Sequence, residues 1–528
     1  MSDARDFRPS SLGTIPRLVQ DSSRRFAGRV AFEDQGRVVR FDELGALALQ
    51  ASRAFIAAGL QPGDRVGVWG PNSLEWVIAA VGLQSAGGVL VPLNTRFKGS
   101  EAGYNLRKSG ARLLVTVEEF VGARFVDLLA DQELPALEGI VTWEGSHAKA
   151  ESWKGFLAAG ESISEDAARE RLLAVQPGDL ADVMFTSGTT GNPKGVMTGH
   201  EQNLRAFESW SEVVGLRAED RYLIVNPFFH AMGYKAGWLA CIMRGAACLP
   251  HRVMDVSEVL QRVGEERVSV LPGVPSLYQS FLMDPAHRDF DLSNLRLAVT
   301  GAAPVSVELV RRIREELGFE TVITGYGLTE ATGIATMCRD GDAPEIIANS
   351  SGRAIPDVEV LCVDDEGKEV PRGEPGEVVV RGYNVMRGYY DDEDETRKTI
   401  DDAGWLHTGD IGVMDENGYL DITDRKKDMF IMGGFNCYPA EIEGLLFEHP
   451  EVAQVAVIGI PDERMGEVGA AFVVPEPGAR PEPDALHAWC REHMANYKVP
   501  RRIEVIGELP MNAMGKVQKF RLRERVGC

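Results

Sequence analysis

What the sequence does not contain narrows it first. Its seven cysteines, at 241, 248, 338, 362, 437, 490 and 528, form no C-x-x-C pair, so neither a zinc site nor a disulfide framework is indicated and reduced thiols are expected. No stretch approaches the ~20 apolar residues that a membrane helix requires, and the opening MSDARDFRPSSLGTIPRLVQ lacks the apolar core of a secretory leader. The C-terminal RERVGC ends in cysteine without a C-a-a-X arrangement. Positive charge is scarce: 56 Lys and Arg face 79 Asp and Glu, a formal charge of −23. That excludes a general nucleic-acid binder, which would carry a basic face. A soluble, cytoplasmic protein is expected, with its oligomeric state open and a homodimer included.

What is there is an ordinary globular composition, 44% hydrophobic and 26% charged over 528 residues, enough for two or more domains with sizeable cores. Short apolar runs alternate with helical stretches: RVGVWG (65–70), SLEWVIAAVGLQSAG (73–87), GVLVPLN (88–94), then RYLIVNPFF (221–229) and LRLAVTGAAP (295–304) before VSVELVRRIREEL (305–317). This beat predicts an α/β fold, parallel sheets flanked by helices. From about residue 350 the pattern changes to short strands broken by D-E-G and P-G turns, a β-rich subdomain. A charged run from Thr423 to Asp428 reads as a linker. It divides a large N-terminal domain (1–424) from a small, mobile α+β domain (425–528).

The stretch TSGTTGNPKG (186–195) crowds Thr186, Ser187, Thr189 and Thr190 around Gly188, Gly191 and Gly195 and places one ammonium, Lys194, near its end. Hydroxyls and unobstructed N–H groups donate together, and glycine permits the turns that expose them, so the segment suits a polyphosphate. On composition alone such a cluster is more often just a surface turn. The pattern G-x-x-x-x-G-K-S/T is absent, so this is a phosphate loop of another kind.

The loop is followed in order by FFHAMGY (228–234), GAAP (301–304), GYGLTE (325–330), GWLHTGD (404–410), DRKKDM (424–429), GGFNCYPAEIE (433–443) and NAMGKVQK (512–519). Together these motifs resemble the adenylate-forming superfamily of acyl-CoA synthetases, peptide-synthetase adenylation domains and luciferases, and they span nearly the whole chain. The acyl-CoA synthetase type, the AMP-dependent fatty-acid-CoA ligases, is most similar. The resemblance implies a carboxylate attacking the α-phosphate of ATP to give an acyl-adenylate and pyrophosphate. The thiol of coenzyme A then displaces AMP. ATP, Mg²⁺ and coenzyme A are the expected small molecules, beside the carboxylate.

The resemblance also implies roles. The 186–191 loop and Lys194 would hold the β- and γ-phosphates; Tyr326 would face adenine, with Gly301, Ala302, Ala303 and Gly327 beside it. Thr329 would offer a hydroxyl to the α-phosphate and Glu330 a hard oxygen to Mg²⁺. Asp410 in HTGD, following a tight Thr-Gly turn, would accept from the ribose hydroxyls, with Arg425 nearby. Lys516 would bridge the substrate carboxylate and the α-phosphate during adenylation. Lys427 matches the hinge about which the small domain turns between the two steps, and Gly433 and Gly434 leave room for the pantetheine arm. His230 would gate the passage between acid and thiol.

The acyl pocket is drawn from His230, Tyr234, Trp238, Gly301 and Gly325. Acetate-specific relatives are similar in carrying Trp where this chain has Gly327, so a larger acid should fit. A medium or long fatty chain, an aromatic acid and a polycyclic propanoate such as a degraded steroid ring are all left open, and the chain resembles bacterial catabolic acyl-CoA ligases of the last type. A stand-alone enzyme loading a carrier protein is the alternative. Two departures from the family pattern, Gly199 in MTGH and Ser351 in SSGRAIP, touch no proposed phosphate ligand.

Overall fold

The structure is a computed structural model that describes residues 8–186, 192–301, 305–364, 366–425, 430–437, 439–510, 517 and 519–527; for 285, 286, 423–425, 436, 440 and 520 it describes the backbone alone. Its central sheet has seven strands. Val89–Leu93, Arg65–Trp69, Leu113–Val117 and Gly139–Glu144 run parallel, and Leu180–Thr186 joins them beside Val89–Leu93. The inner strands are almost wholly apolar because helices cover both faces. Leu74–Ser85 is buried along nearly its entire length, and Ser73 caps it by accepting the Trp76 N–H at 3.2 Å.

A second parallel layer carries Arg221–Ile224 and Ala247–Pro250 on one side and Leu297–Gly301 and Thr321–Tyr326 on the other, bridged through Val270. Leu297–Gly301 and Thr321–Tyr326 pair in register, ending with Gly301 opposite Gly325. Residues Val358–Val363, Pro375–Gly382, Leu406–Met414 and Leu420–Arg425 form a four-stranded antiparallel sheet. This is the α/β architecture with a β-rich subdomain that the sequence predicts. One detail differs: Asp410 lies inside a strand, paired with Arg425, so 423–425 belong to the sheet and not to a linker. Gly409 takes a left-handed φ of 71° and the register slips at Ile411, so the HTGD segment is a kinked strand and not a free turn.

From residue 430 the chain builds its own apolar clusters. Phe430, Met432, Leu446 and Tyr497 back one part of the five-stranded sheet around Gly466–Pro475, and Ile458, Phe472, Leu509 and Leu522 form another. The seven-stranded, parallel and β-rich layers, in contrast, contribute to continuous packing on the other side of that division.

Candidate active site

The ends of these layers open into one continuous cavity of about 2530 Å³. Single drug-sized ligands occupy roughly 300–1,000 Å³, so this space suits more than one substrate. Its wall runs from Thr186 and Lys194, past His230, Gly301, Tyr326 and Glu330, to Asp410 and the Gly433–Gly434 turn.

Leu180–Thr186 and Lys194–Gly199 are antiparallel neighbours, and Thr186 pairs with Lys194 in register. The pairing brings the two ends of the expected phosphate loop together; Ser187, Gly188, Thr189, Thr190 and Gly191 themselves lie outside the described residues. Glu330, in the short turn Thr329–Ala331, points its Oε1 at the Tyr389 hydroxyl, which donates at 3.0 Å, and at the Thr186 hydroxyl at 3.5 Å. Lys194 pairs with Glu395 and stands over the Tyr389 ring, 4.9 Å from its centre. Hydrogen bonds from Lys194 and Lys398 hold the Glu395 carboxyl down at about 2. Tyr389 and Glu395 were not among the residues expected; RGYYDDEDET follows a strand and carries no pattern that marks either one.

At the other wall Tyr326 donates its hydroxyl to Asp410 Oδ2 at 2.6 Å. Asp410 is 3% exposed and its N–H is held by the Thr408 hydroxyl at 3.1 Å. The aromatic ring and the carboxylate expected at the base and the sugar of one nucleotide are therefore neighbours. Arg425 is described as backbone only, while Ala302, Ala303, Lys427 and Lys516 lie outside the described residues.

His230 accepts the Met232 N–H on Nδ1 at 3.4 Å. Its ring is exposed to the cavity, and desolvation by the surrounding walls pushes its pKa below the ordinary value, favouring neutral imidazole. Two of the expected pocket residues are elsewhere. Tyr234 and Trp238 are fully buried and stack on each other with ring centres 4.7 Å apart. The Tyr234 hydroxyl is used by Gln84 at 3.1 Å and Asp182 at 3.4 Å. They sit on a wide π-helical turn, Tyr234–Leu239, which directs both rings into the core.

Gly301, Gly325 and Gly327 do line the cavity. At Gly327 a Cβ would fall 2.4 Å from the Gly333 carbonyl oxygen and 2.5 Å from Ile334 Cα. Glycine is required there by backbone contact, a reason beyond the pocket depth inferred from the sequence. At Gly199 the neighbour is instead a side chain, the Arg387 guanidinium, 2.9 Å from where a Cβ would lie. Gly433 and Gly434 both hold left-handed φ angles, 56° and 82°. A Cβ on Gly434 would meet Val274, across from it in the large domain, at 2.6 Å.

Residues 19–390 match the AMP-binding enzyme family, and residues 441–516 match the AMP-binding enzyme C-terminal domain. The chain belongs to the AMP-binding enzymes. It is 45% identical to a 7a-methyl-1,5-dioxo-octahydro-inden-4-yl propanoyl:CoA ligase of Rhodococcus jostii, covering 97% of this chain and 98% of that one. It is 46% identical to the ligase of the same description from Mycobacterium tuberculosis, over 98% and 99%. Among solved structures it resembles the amide bond synthetase McbA from Marinactinospora thermotolerans, with a TM-score of 0.84 at 30% identity over 97% of this chain and 99% of that one. It also resembles the o-succinylbenzoate CoA synthetase of Bacillus subtilis bound with a product analogue, at 0.79 and 27% over 96% and 98%. This AMP-binding enzyme is an ATP-dependent, AMP-forming acyl-CoA synthetase that works through an acyl-adenylate. Among the described residues no helix is long and apolar enough to cross a membrane.

Proposed function

We propose that the acid is a propanoate carrying a fused, oxygenated ring system, activated at the phosphate end of the cavity and transferred to coenzyme A at the Gly433–Gly434 end. The observation that carries this reading is the single cavity joining the two ends, with Met232, Val299, Leu328 and Ile334 among its apolar lining. Ala231 packs against Gly333, and Ile334 lies beneath Gly325, so this wall is small-featured where the acyl group would lie. The two propanoyl:CoA ligases, similar over nearly the whole chain, support the ring-bearing class over a simple fatty acid.

In the first step two anions meet, so positive charge and donors must be in place beforehand. Lys194, Thr186 and the loop between them bind the outer phosphates, Thr329 the α-phosphate, and Asp410 with Arg425 the ribose. Lys516 draws the carboxylate onto phosphorus. The described residues contain no group of three or more metal-ligating side chains; magnesium commonly rests on one or two carboxylates plus substrate phosphates, and the Glu330 carboxylate on the cavity wall fits that role. Magnesium neutralises phosphate charge when bound. In the second step the neutral His230 ring borders the passage, and thiolate displaces AMP from the acyl carbon.

The two steps use different faces of the small domain, 425–528, which turns about Lys427. Leu509 and Val517, flanking Lys516 in sequence, pack with Phe472 in a cluster separate from the one behind Gly433 and Gly434. Specificity constants for acyl-CoA formation test the substrate class. A bicyclic dioxo-propanoate should exceed octanoate, palmitate and benzoate by at least about 100-fold, the scale that a single lost pocket contact already supplies. Equal constants across the four acids would overturn it.

A further inference from the structure

The small domain meets the large one at a seam made of charge. Lys498 is 3% exposed, and its ammonium donates to Glu101 Oε1 at 2.7 Å and to Glu441 Oε1 at 2.6 Å. Glu101 stands on the large-domain helix Gly99–Ser109, whereas Glu441 belongs to the small-domain helix Pro439–Phe447. The bridge therefore crosses between two bodies. Asn94 donates to the Tyr497 hydroxyl at 3.2 Å, and the Arg96 guanidinium lies 4.3 Å from the Phe435 ring centre. Phe435 immediately follows the Gly433–Gly434 turn, and its ring stacks on Tyr497 at 4.6 Å. Whatever fixes Lys498 thus fixes the turn.

The charge count makes this seam closable and openable. Two carboxylates share one ammonium, and Glu441 Oε2 is buried without a hydrogen-bond partner. A buried pair is held firmly only when every polar atom is satisfied. Burial works against the Lys498 charge, but Tyr497 and the two carboxylates more than offset it and raise its pKa well above the ordinary value. Burial raises the Glu441 carboxyl above its ordinary value, and Lys498 offsets that only in part.

We propose that Lys498 is a positioning residue for the thiol step: bridged to Glu101, it clamps the small domain with the Gly433–Gly434 turn against the cavity, and adenylation proceeds without this clamp. The inference rests on the two-step reading above. It assigns to one interdomain ion pair the choice between the steps.

The test measures the half-reactions separately in the full-length enzyme with Glu101→Gln and Lys498→Met. Pyrophosphate release on adenylate formation should stay within about twofold of wild type, while discharge of a prepared bicyclic propanoyl-adenylate by coenzyme A should fall at least about tenfold in each variant. The double variant should lose no more than either single one, because both remove the same bridge. Equal loss in the two half-reactions, or none in discharge, would overturn the clamp. Should Lys498→Met fail to fold, Glu101→Gln carries the test from the large domain. Amide hydrogen exchange in residues 99–109 reads the seam whatever the acyl acceptor is: faster exchange in the variants supports the clamp, and unchanged exchange in both contradicts it. If wild-type enzyme itself fails to discharge the adenylate, the substrate or acceptor reading falls, and the exchange result alone decides the clamp.

Discussion

Two lysines are buried among the described residues, and they are used in opposite ways. Lys235 lies wholly inside the large domain, 3.2 Å from Asp182, with Thr198 accepting from its ammonium at 3.1 Å. Asn203 donates to the second Asp182 oxygen at 2.7 Å, so one cation meets one anion and the carboxylate is fully engaged. Lys498 instead faces two carboxylates on two bodies, one of them with an idle oxygen. Burial lowers the Lys235 pKa despite its partner, whereas the surplus of negative charge raises that of Lys498. A balanced pair inside one packing unit specifies the fold. An unbalanced pair between units specifies an arrangement that can be left.

The largest effect should come from breaking the internal pair. Lys235→Met strands Asp182 in the core, a loss of about 3–5 kcal/mol by the usual cost of halving a buried pair. Denaturant melts should show this drop, and both half-reactions should fall together as folded enzyme is lost. A stable variant with only one half-reaction impaired would erase the contrast with Lys498.

The reciprocal of the seam is Lys516. Lys516→Ala should lower adenylation roughly 10²–10³-fold, the scale of one lost donor at developing charge, and leave discharge of a supplied acyl-adenylate near the wild-type rate. Rapid-quench assays of each step check it. Similar losses in both steps would remove the separation of roles between the two small-domain lysines.

A smaller effect, confined to the large domain, concerns His200. Its buried ring accepts the Ile15 N–H at 3.4 Å, and burial, with Arg387 nearby, holds its pKa down at about 3. The unfolded chain takes up a proton here below about pH 6.5, while the folded chain does not until about 3. Stability from this site is thus whole above the unfolded value and is lost as pH falls through that window. Acid melts of His200→Gln should show a shallower loss between these limits than wild type. An identical slope would contradict the assignment.

GYGLTE and HTGD could be read as segments because each is local: the first ends a strand at the cavity and the second kinks one there, while residues 187–191 of the expected phosphate loop lie outside the described residues. The alternation of apolar runs with amphipathic helices likewise predicts the parallel layers, since burial on both faces leaves a continuous apolar strand. Tyr234 and Trp238 misled because the turn that carries them is π-helical, and residue spacing alone gives no sign of which way such a turn points its rings. Glu101 and Lys498 are 397 positions apart and sit in unremarkable contexts, SEAGY and NYKVP, so their meeting is a tertiary fact with no sequence signal. Tyr389 was missed for the same reason, its hydroxyl serving a glutamate 59 residues away.

The central claim is that the acid's own oxygen becomes bonded to the α-phosphorus before any thiol takes part. The direct measurement uses a bicyclic propanoate with heavy-oxygen-labelled carboxylate, ATP and coenzyme A, followed by mass spectrometry of the nucleotide product. The account predicts one labelled oxygen in AMP and none in pyrophosphate. Label in inorganic phosphate, with ADP as the nucleotide product, would contradict it.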